Sequence, residues 1–162
     1  MNYPEFSGRR ILVIGRPCSG KTTLAEKLSS ELGIPTYDMD DLNWRKGWKK
    51  VDIKEMNVQL SLILAKKTWI ISGDYLNTLI DRLAYATDII ILDISWYSAA
   101  FRYFKRVINR AFGNERHAGY GKWYQEFNFV FFIKKVVFYE FYAKRFKRNL
   151  NVYFSEIKVH YY

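Results

Sequence analysis

Apolar, β-branched runs that alternate with amphipathic stretches predict an α/β fold with a parallel sheet covered by helices on both faces. Three observations carry this expectation. Ile11-Leu12-Val13-Ile14 and Asp88-Ile89-Ile90-Ile91-Leu92-Asp93 are short continuous runs of the kind found in strands buried on both faces. Stretches of helical period separate such runs along the chain. The first run also leads straight into Gly15-Arg16-Pro17-Cys18-Ser19-Gly20-Lys21-Thr22, which fits the phosphate-loop pattern G-x-x-x-x-G-K-[ST]. Strand, loop and helix is the context that pattern requires, so the expected architecture is a three-layer P-loop NTPase fold.

The elements follow in order. After the loop, Leu24, Ala25, Leu28 and Leu32 recur at helical spacing, and Gly33 is a suitable stop. Ile34-Pro35-Thr36-Tyr37 reads as an extended segment running into Asp38-Met39-Asp40-Asp41, where strand alternation sends Asp38 and Asp40 to one side. Residues 42–51 read as loop. Asp52 starts a helix, with Glu55 three residues on as in a capping box, and Ile53, Met56, Leu60 and Leu64 as its apolar stripe. Thr68-Trp69-Ile70-Ile71 is a buried strand stopped by Ser72-Gly73. A short helix carries Leu76, Leu79, Ile80 and Leu83 on one side, and Ser95 caps a helix over 96–111. Residues 123–148 read as one long helix or two, apolar nearly all round, and Asn151-Val152-Tyr153-Phe154-Ser155 as a last strand.

The 162 residues fit a single domain, 1–162, with no internal repeat and no linker. A hydrophobic share of 49% excludes a disordered chain. No run is long enough to span a membrane and residues 1–10 hold no secretory apolar region, which points to the cytoplasm. The lone cysteine, Cys18, has no partner for an internal disulfide; it is a small loop residue or a redox-sensitive position in a nucleotide site. The charge is uneven. Residues 1–97 carry a net +1 and residues 98–162 a net +9 of the total +10. Nucleotide phosphates, nucleic acid and a membrane surface are all candidate partners for such a segment.

Each fixed position of the phosphate loop has a physical task. The glycines let backbone N–H groups curl around a polyphosphate, Lys21 reaches its β- and γ-oxygens, and the Thr22 hydroxyl ligates Mg²⁺. Gly15, Arg16, Pro17, Cys18, Ser19, Gly20, Lys21, Thr22 and Thr23 are thus the expected ATP-binding residues. In an open parallel sheet, ligands gather at the carboxyl ends of the strands. That brings Asp38, Asp40, Ser72, Gly73, Asp74 and Asp93 towards Lys21. Asp40 is the carboxylate expected to hold Mg²⁺ through water or to accept the proton of an attacking hydroxyl. Asp93 serves equally well as a helix entry. Arg102, Arg106 and Arg110, at i, i+4 and i+8, form one basic stripe on the 96–111 helix, with Phe101, Phe104 and Ile108 on another side. The stripe suits either a phosphate clamp or a solvated face. Trp44 and Trp48 lie among Arg45, Lys46, Lys49 and Lys50, a mixture that can stack a base or pack over the core edge. His117 and His160 lack partners at metal-ligand spacing. Lys122 to Arg148 interleaves aromatics with cations, as in a buried helix with a basic end, a self-association surface compatible with a homodimer, a membrane surface or a nucleic-acid contact.

Beyond the loop, Asp40-x-x-x-Trp44-x-x-Gly47-Trp48, then Trp69-Ile70-Ile71-x-Gly73-x-Tyr75, then Arg82-Leu83-Ala84-x-Ala86 leading into the 88–93 strand, resembles the bacterial adenylate-kinase-like proteins often labelled DNA topology modulation proteins. The likeness covers roughly residues 9–112. It implies a nucleoside-monophosphate-kinase-like fold with a five-stranded parallel sheet, an acceptor-binding region over about 38–67 and a lid and helical region over about 96–148. It implies that Lys21 and Thr22 serve ATP and Mg²⁺, that Asp40 faces the acceptor site with Trp44, Trp48, Tyr75 and Arg82 nearby, and that Arg102 and Arg106 belong to the lid and act in catalysis; Asp74 and Arg110 are further expected substrate-binding residues. The chain departs from the family at Cys18, often Gly there, and at Ser72 and Asp74, where Asp and Asn are usual, which makes Asp74 a substitute carboxylate. Asn114–Lys122 matches the usual lid poorly.

The expected function is ATP-dependent phosphoryl transfer to a small acceptor, a nucleoside monophosphate or similar molecule. Two alternatives remain open: a nucleotide-binding regulator that contacts nucleic acid through the basic C-terminal third, and a degenerate kinase that binds ATP without transfer.

Overall fold

In the computed structural model, residues 5–47, 49–111, 139 and 156–162 are described, the side chains of 110 and 111 excepted. Strand β1 (Arg10–Gly15) is the centre of the sheet, and its sequence explains why. Ile11, Leu12 and Val13 have no exposed surface, so both faces of the strand are covered and no polar alternation is needed. It pairs in parallel with β5 (Trp69–Ser72) on one side and β6 (Asp88–Leu92) on the other. The edges are β2 (Thr36–Asp38) beside β5 and β7 (Lys158–Tyr161) beside β6, giving the order β2-β5-β1-β6-β7.

Two apolar layers flank this sheet. On one face Ile11, Val13, Ile70 and Ile90 pack with Ala25 and Leu28 of α1 (Lys21–Leu32) and with Ile34. On the other, Leu12, Ile14, Ile71, Ile89 and Ile91 pack with Met39 of α2 (Met39–Asn43), Met56, Leu60, Ile63 and Leu64 of α3 (Ile53–Leu64), and Leu79 and Leu83 of α4 (Leu79–Tyr85). Each such side chain removed from water contributes roughly 1.5–3 kcal/mol before entropy is counted. The α/β class and the parallel sheet with helices on both faces agree with the sequence.

Several local expectations are corrected. Strand β2 stops at Asp38, whose carboxylate accepts the Asp40 N–H and caps α2, so Asp40 lies in a helical first turn and alternation does not apply to it. Residues 42–51 are not all loop. They finish α2 and form an antiparallel hairpin of β3 (Trp44–Arg45) and β4 (Lys49–Lys50). Asp52 does cap α3, accepting from Lys54 and Glu55, but the Glu55 carboxylate is taken by Arg45 and Gln59, and no reciprocal box closes. Ile53 is exposed and Ile63 takes its place in the stripe. A 3₁₀ turn (Leu76–Thr78) precedes α4, and Leu76 and Ile80 face outward. Helix α5 (Trp96–Ala111) buries Ala99, Ala100, Tyr103 and Val107 and leaves Phe101, Phe104 and Ile108 exposed. The last strand is 158–161; the expected strand at 151–155 lies outside the described residues, as do His117, Asn114–Lys122 and the 123–148 segment apart from Tyr139.

At the amino ends of the strands, Asp88 is buried with no exposed surface. Its carboxylate accepts from Ser7 N–H at 2.9 Å, Gly8 N–H at 2.9 Å and Ser7 Oγ at 3.0 Å, and His160 Nε2 lies 3.1 Å away. Burial pushes the Asp88 carboxyl upward, but donors from Ser7, His160, Thr87 and Gly8 outweigh it and hold the group below the usual carboxylate range. His160 therefore fastens β7 to β6, far from the loop that follows β1.

Candidate phosphate-transfer site

The loop that joins β1 to α1 is shaped for an anion. Gly20 caps α1 in the left-handed region (φ 97°), where an L side chain is strained, and no side chain bonds the helix N-terminus. The first turn of α1 holds no acidic residue, so its N–H groups and dipole are not neutralised from within the helix. The Ser19 hydroxyl is buried and has no hydrogen-bond partner among the described residues. A buried orphan hydroxyl in this position suits a phosphate oxygen. Cys18 holds φ 62°, in the left-handed region that favours glycine. Pro17 is half-buried and Thr23 exposed.

Lys21 folds back onto its own loop. Its ammonium donates to the carbonyls of Gly15 at 2.6 Å and Arg16 at 2.9 Å and lies 3.5 Å from Asp74 Oδ2. Asp74 Oδ1 accepts the Gly15 N–H at 2.9 Å. Asp74, read from the sequence as an acceptor-site residue, thus touches the phosphate loop itself. Gly73 lets it do so: with φ 120°, and an added Cβ only 2.8 Å from Met39 Cβ, no other residue fits that corner.

The carboxylate beside Thr22 is Asp38, not Asp40. Thr22 Oγ1 donates to Asp38 Oδ2 at 2.6 Å, and Ser72 Oγ donates to the same oxygen at 3.0 Å. The sequence reading missed Asp38 as a partner of Thr22. The signal present was an Asp followed by Asp40 and Asp41, the acidic first turn of a capped helix. Ser72, at the end of β5, serves as a donor to Asp38.

Asp40 belongs to a second group. Tyr75 hydroxyl donates to Asp40 Oδ1 at 2.6 Å, and Trp44 Nε1 donates to that hydroxyl at 2.9 Å. Asp40 is open to solvent on one side, yet the protein around its carboxyl still raises its pKa above the usual value. The Tyr75 bond and the charges of Lys21 and Arg106 oppose that rise, and Asp38 adds to it. Burial, then the Asp40 charge, pushes the Tyr75 hydroxyl well above its ordinary range, so it remains a donor.

Arg82 is not available to an acceptor. It is fully buried and donates to the carbonyls of Gly73 (2.6 Å), Asp74 (2.6 Å), Tyr75 (2.9 Å) and Thr78 (3.3 Å). Burial lowers its pKa to about 10. It is the scaffold of the 73–75 loop that carries Asp74 and Tyr75. Of the stripe on α5, Arg102 reaches the phosphate loop, donating to the Ser19 carbonyl at 3.0 Å. Arg106 acts electrostatically on Asp40 and lies 5.9 Å from the Tyr103 ring. Trp48 and the Arg110 side chain lie outside the described residues, and Asp93 directly follows β6, its N–H bonded to the Tyr162 carbonyl. Among the described residues, no group of three or more His, Cys, Asp or Glu is arranged to hold a metal ion, and no helix is long and apolar enough to cross a membrane.

No protein-family model matches the chain, and no curated protein matches it. The likeness to DNA topology modulation proteins therefore stays with the motifs quoted above. Among solved structures the chain is similar to a gluconokinase from Sinorhizobium meliloti, at TM-score 0.46 and 19% identity over 64% of this chain and 67% of that one. It is also similar to shikimate kinase from Aquifex aeolicus, at TM-score 0.47 and 26% identity over 68% of this chain and 80% of that one. The protein itself has a five-stranded parallel sheet in which the loop after the central strand leads into the first helix, with the carboxylates of Asp38 and Asp74 beside it.

Proposed function

We propose that the protein is an ATP-dependent phosphotransferase that moves the γ-phosphoryl group of Mg·ATP to a hydroxyl of a small acceptor. Three groups at the start of α1 support this: the Lys21 ammonium, the N–H groups behind Gly20, and the Thr22 hydroxyl held 2.6 Å from Asp38. Mg²⁺, when bound, neutralises charge on the β- and γ-oxygens. Thr22 and Asp38 are the donors this chain offers it, one alcohol and one carboxylate. That is a suitable protein share for an ion that takes its other ligands from phosphate and water. Asp38 replaces Asp40 in this role.

Asp40 is free of that duty and serves as the base. As the acceptor oxygen bonds to phosphorus, its proton passes to the Asp40 carboxylate, and ADP leaves with the electron pair of the broken bond. A raised pKa makes Asp40 a better proton acceptor than an ordinary carboxylate. Tyr75 and Trp44 fix the carboxylate's orientation. Lys21, Arg102 and Arg106 neutralise the developing charge.

The acceptor is a hydroxyl compound rather than a nucleoside monophosphate. A monophosphate arrives anionic, needs cations and has no proton to give up. Asp40, Tyr75 and Trp44 instead present a carboxylate with neutral donors, and Arg82 is spent on four backbone carbonyls. The test is mass-spectrometric detection of phosphorylated product from Mg·ATP across polyols, hydroxy acids and nucleoside monophosphates. Lys21→Ala is expected to lower turnover on the order of 100- to 1,000-fold in a folded protein. Full turnover in folded Lys21→Ala overturns the assignment, and a product found only with monophosphates overturns the acceptor class. ATP bound without any product points to a degenerate kinase.

A further inference from the structure

Tyr139, the one described residue of the aromatic and basic segment, lies against the phosphate loop although 117 positions separate it from Thr22. Its ring is 5.4 Å from the guanidinium carbon of Arg16, a loop residue only 1% exposed. Its hydroxyl donates to the Asp74 carboxylate. Asp74 thus receives three groups: the Gly15 N–H, the Lys21 ammonium and the Tyr139 O–H.

These three donors are not equivalent. Gly15 N–H is fixed by the end of β1. Lys21 must leave, because its ammonium now spends its donors on the Gly15 and Arg16 carbonyls and its charge on Asp74, and all of these compete with a triphosphate. A half-buried carboxylate that loses its cation is costly unless other donors remain. A charge-assisted hydrogen bond from a hydroxyl is such a donor. Burial, with the Asp74 charge behind it, pushes the Tyr139 hydroxyl far above its ordinary range, so it keeps its proton and remains able to donate.

We propose that Tyr139 is a positioning residue of the ATP site: its hydroxyl holds the Asp74 carboxylate in place of Lys21, so that Lys21 can transfer to the phosphates. This rests on the phosphate-loop reading above. It gives Tyr139 a part in nucleotide binding that needs no nucleic acid and no membrane.

The test is calorimetric titration of the full chain with Mg·ATP, in a cycle of wild type, Tyr139→Phe, Asp74→Asn and the double variant. Phenylalanine keeps the ring over Arg16 and removes only the donor. Tyr139→Phe is expected to weaken Mg·ATP binding about tenfold, the size of one hydrogen bond to a charged group. With Asn at 74 there is no carboxylate to hold, and the second substitution is expected to change affinity less than about twofold, the non-additivity that marks a direct coupling. Tyr139→Phe binding as wild type overturns the proposal and leaves the phosphate-loop reading intact. An equal loss in both backgrounds also overturns it, because the effect then does not pass through Asp74. Wild type that binds no Mg·ATP overturns the phosphate-loop reading and this proposal together.

Discussion

The two ends of the sheet solve one problem in opposite ways. At the amino end, Asp88 is buried and receives backbone N–H groups of Ser7 and Gly8, a hydroxyl and an imidazole. At the carboxyl end, Asp38 and Asp74 are also well supplied, by Thr22, Ser72, Lys21 and Gly15. The number of donors does not separate the two. What differs is whether the donors can be given up. The amides of Ser7 and Gly8 belong to a chain segment tied down by those same bonds, whereas Lys21 and Thr22 donate through side chains that can turn to another acceptor. A saturated carboxylate is structural when its donors are fixed and functional when they are exchangeable.

Asp40 offers the sharpest way to break that contrast. Its carboxyl lies above the ordinary carboxylate pKa, so the acid limb of turnover should fall at a pH above about 4, the value for a free side chain. Asp40→Asn should lower turnover roughly 100- to 10,000-fold, the range for a lost general base. The sign for stability is the reverse. A carboxyl whose folded pKa is raised costs stability wherever it is ionised, so the asparagine variant should melt no lower than wild type at neutral pH. Steady-state rates from pH 4 to 9 with parallel melting curves check both, and a destabilised Asp40→Asn would assign this group to the structural kind.

Asp88 should behave oppositely. Its folded pKa is depressed, so its contribution to stability is present above the unfolded value and is lost as pH falls through the folded value. Acid unfolding should steepen below about pH 4 in wild type. Asp88→Ala should cost about 3 kcal/mol at neutral pH, since it orphans buried donors, and should remove most of that steepening. Denaturant titrations at pH 7 and below pH 4 measure the effect. Turnover of the folded fraction should stay near wild type, since nothing in this cluster reaches Lys21.

The same distinction explains what could be read from the sequence. The path from β1 through the phosphate loop to α1 was legible because a continuous apolar run, two glycines and a period-3.6 stripe all constrain one local geometry. The Asp40, Trp44 and Tyr75 grouping was legible in the spacing of the motifs, but the division of labour between Asp38 and Asp40 was not. Alternation carries to Asp40 only if the strand continues, and the capping Asp38 ends it before that residue. Arg82 was misassigned because an arginine looks the same in sequence whether it grips phosphate or backbone. The usable hint was its place on the buried side of α4, with Leu79 and Leu83. Strand β7 was not legible, because Lys158-Val159-His160-Tyr161 is a short polar-rich run that owes its place to partners, Asp88 among them, that are distant in sequence.

The smallest expected effect lies inside the phosphate loop. Cys18 holds φ 62°, a region that costs an L residue roughly 1–2 kcal/mol relative to glycine. Glycine would relieve that strain but lose about 0.5–1 kcal/mol to the greater entropy of the unfolded chain. Cys18→Gly should therefore stabilise the protein slightly, by about 0.5–1 kcal/mol, a shift of a few degrees in melting temperature for a chain of this size. Its Mg·ATP affinity should hold or improve, because the loop conformation is then reached without strain. If the thiol instead tunes the loop, affinity in the glycine variant should fall while stability still rises. Those two readouts moving apart would place Cys18 with the exchangeable groups at the carboxyl end of the sheet.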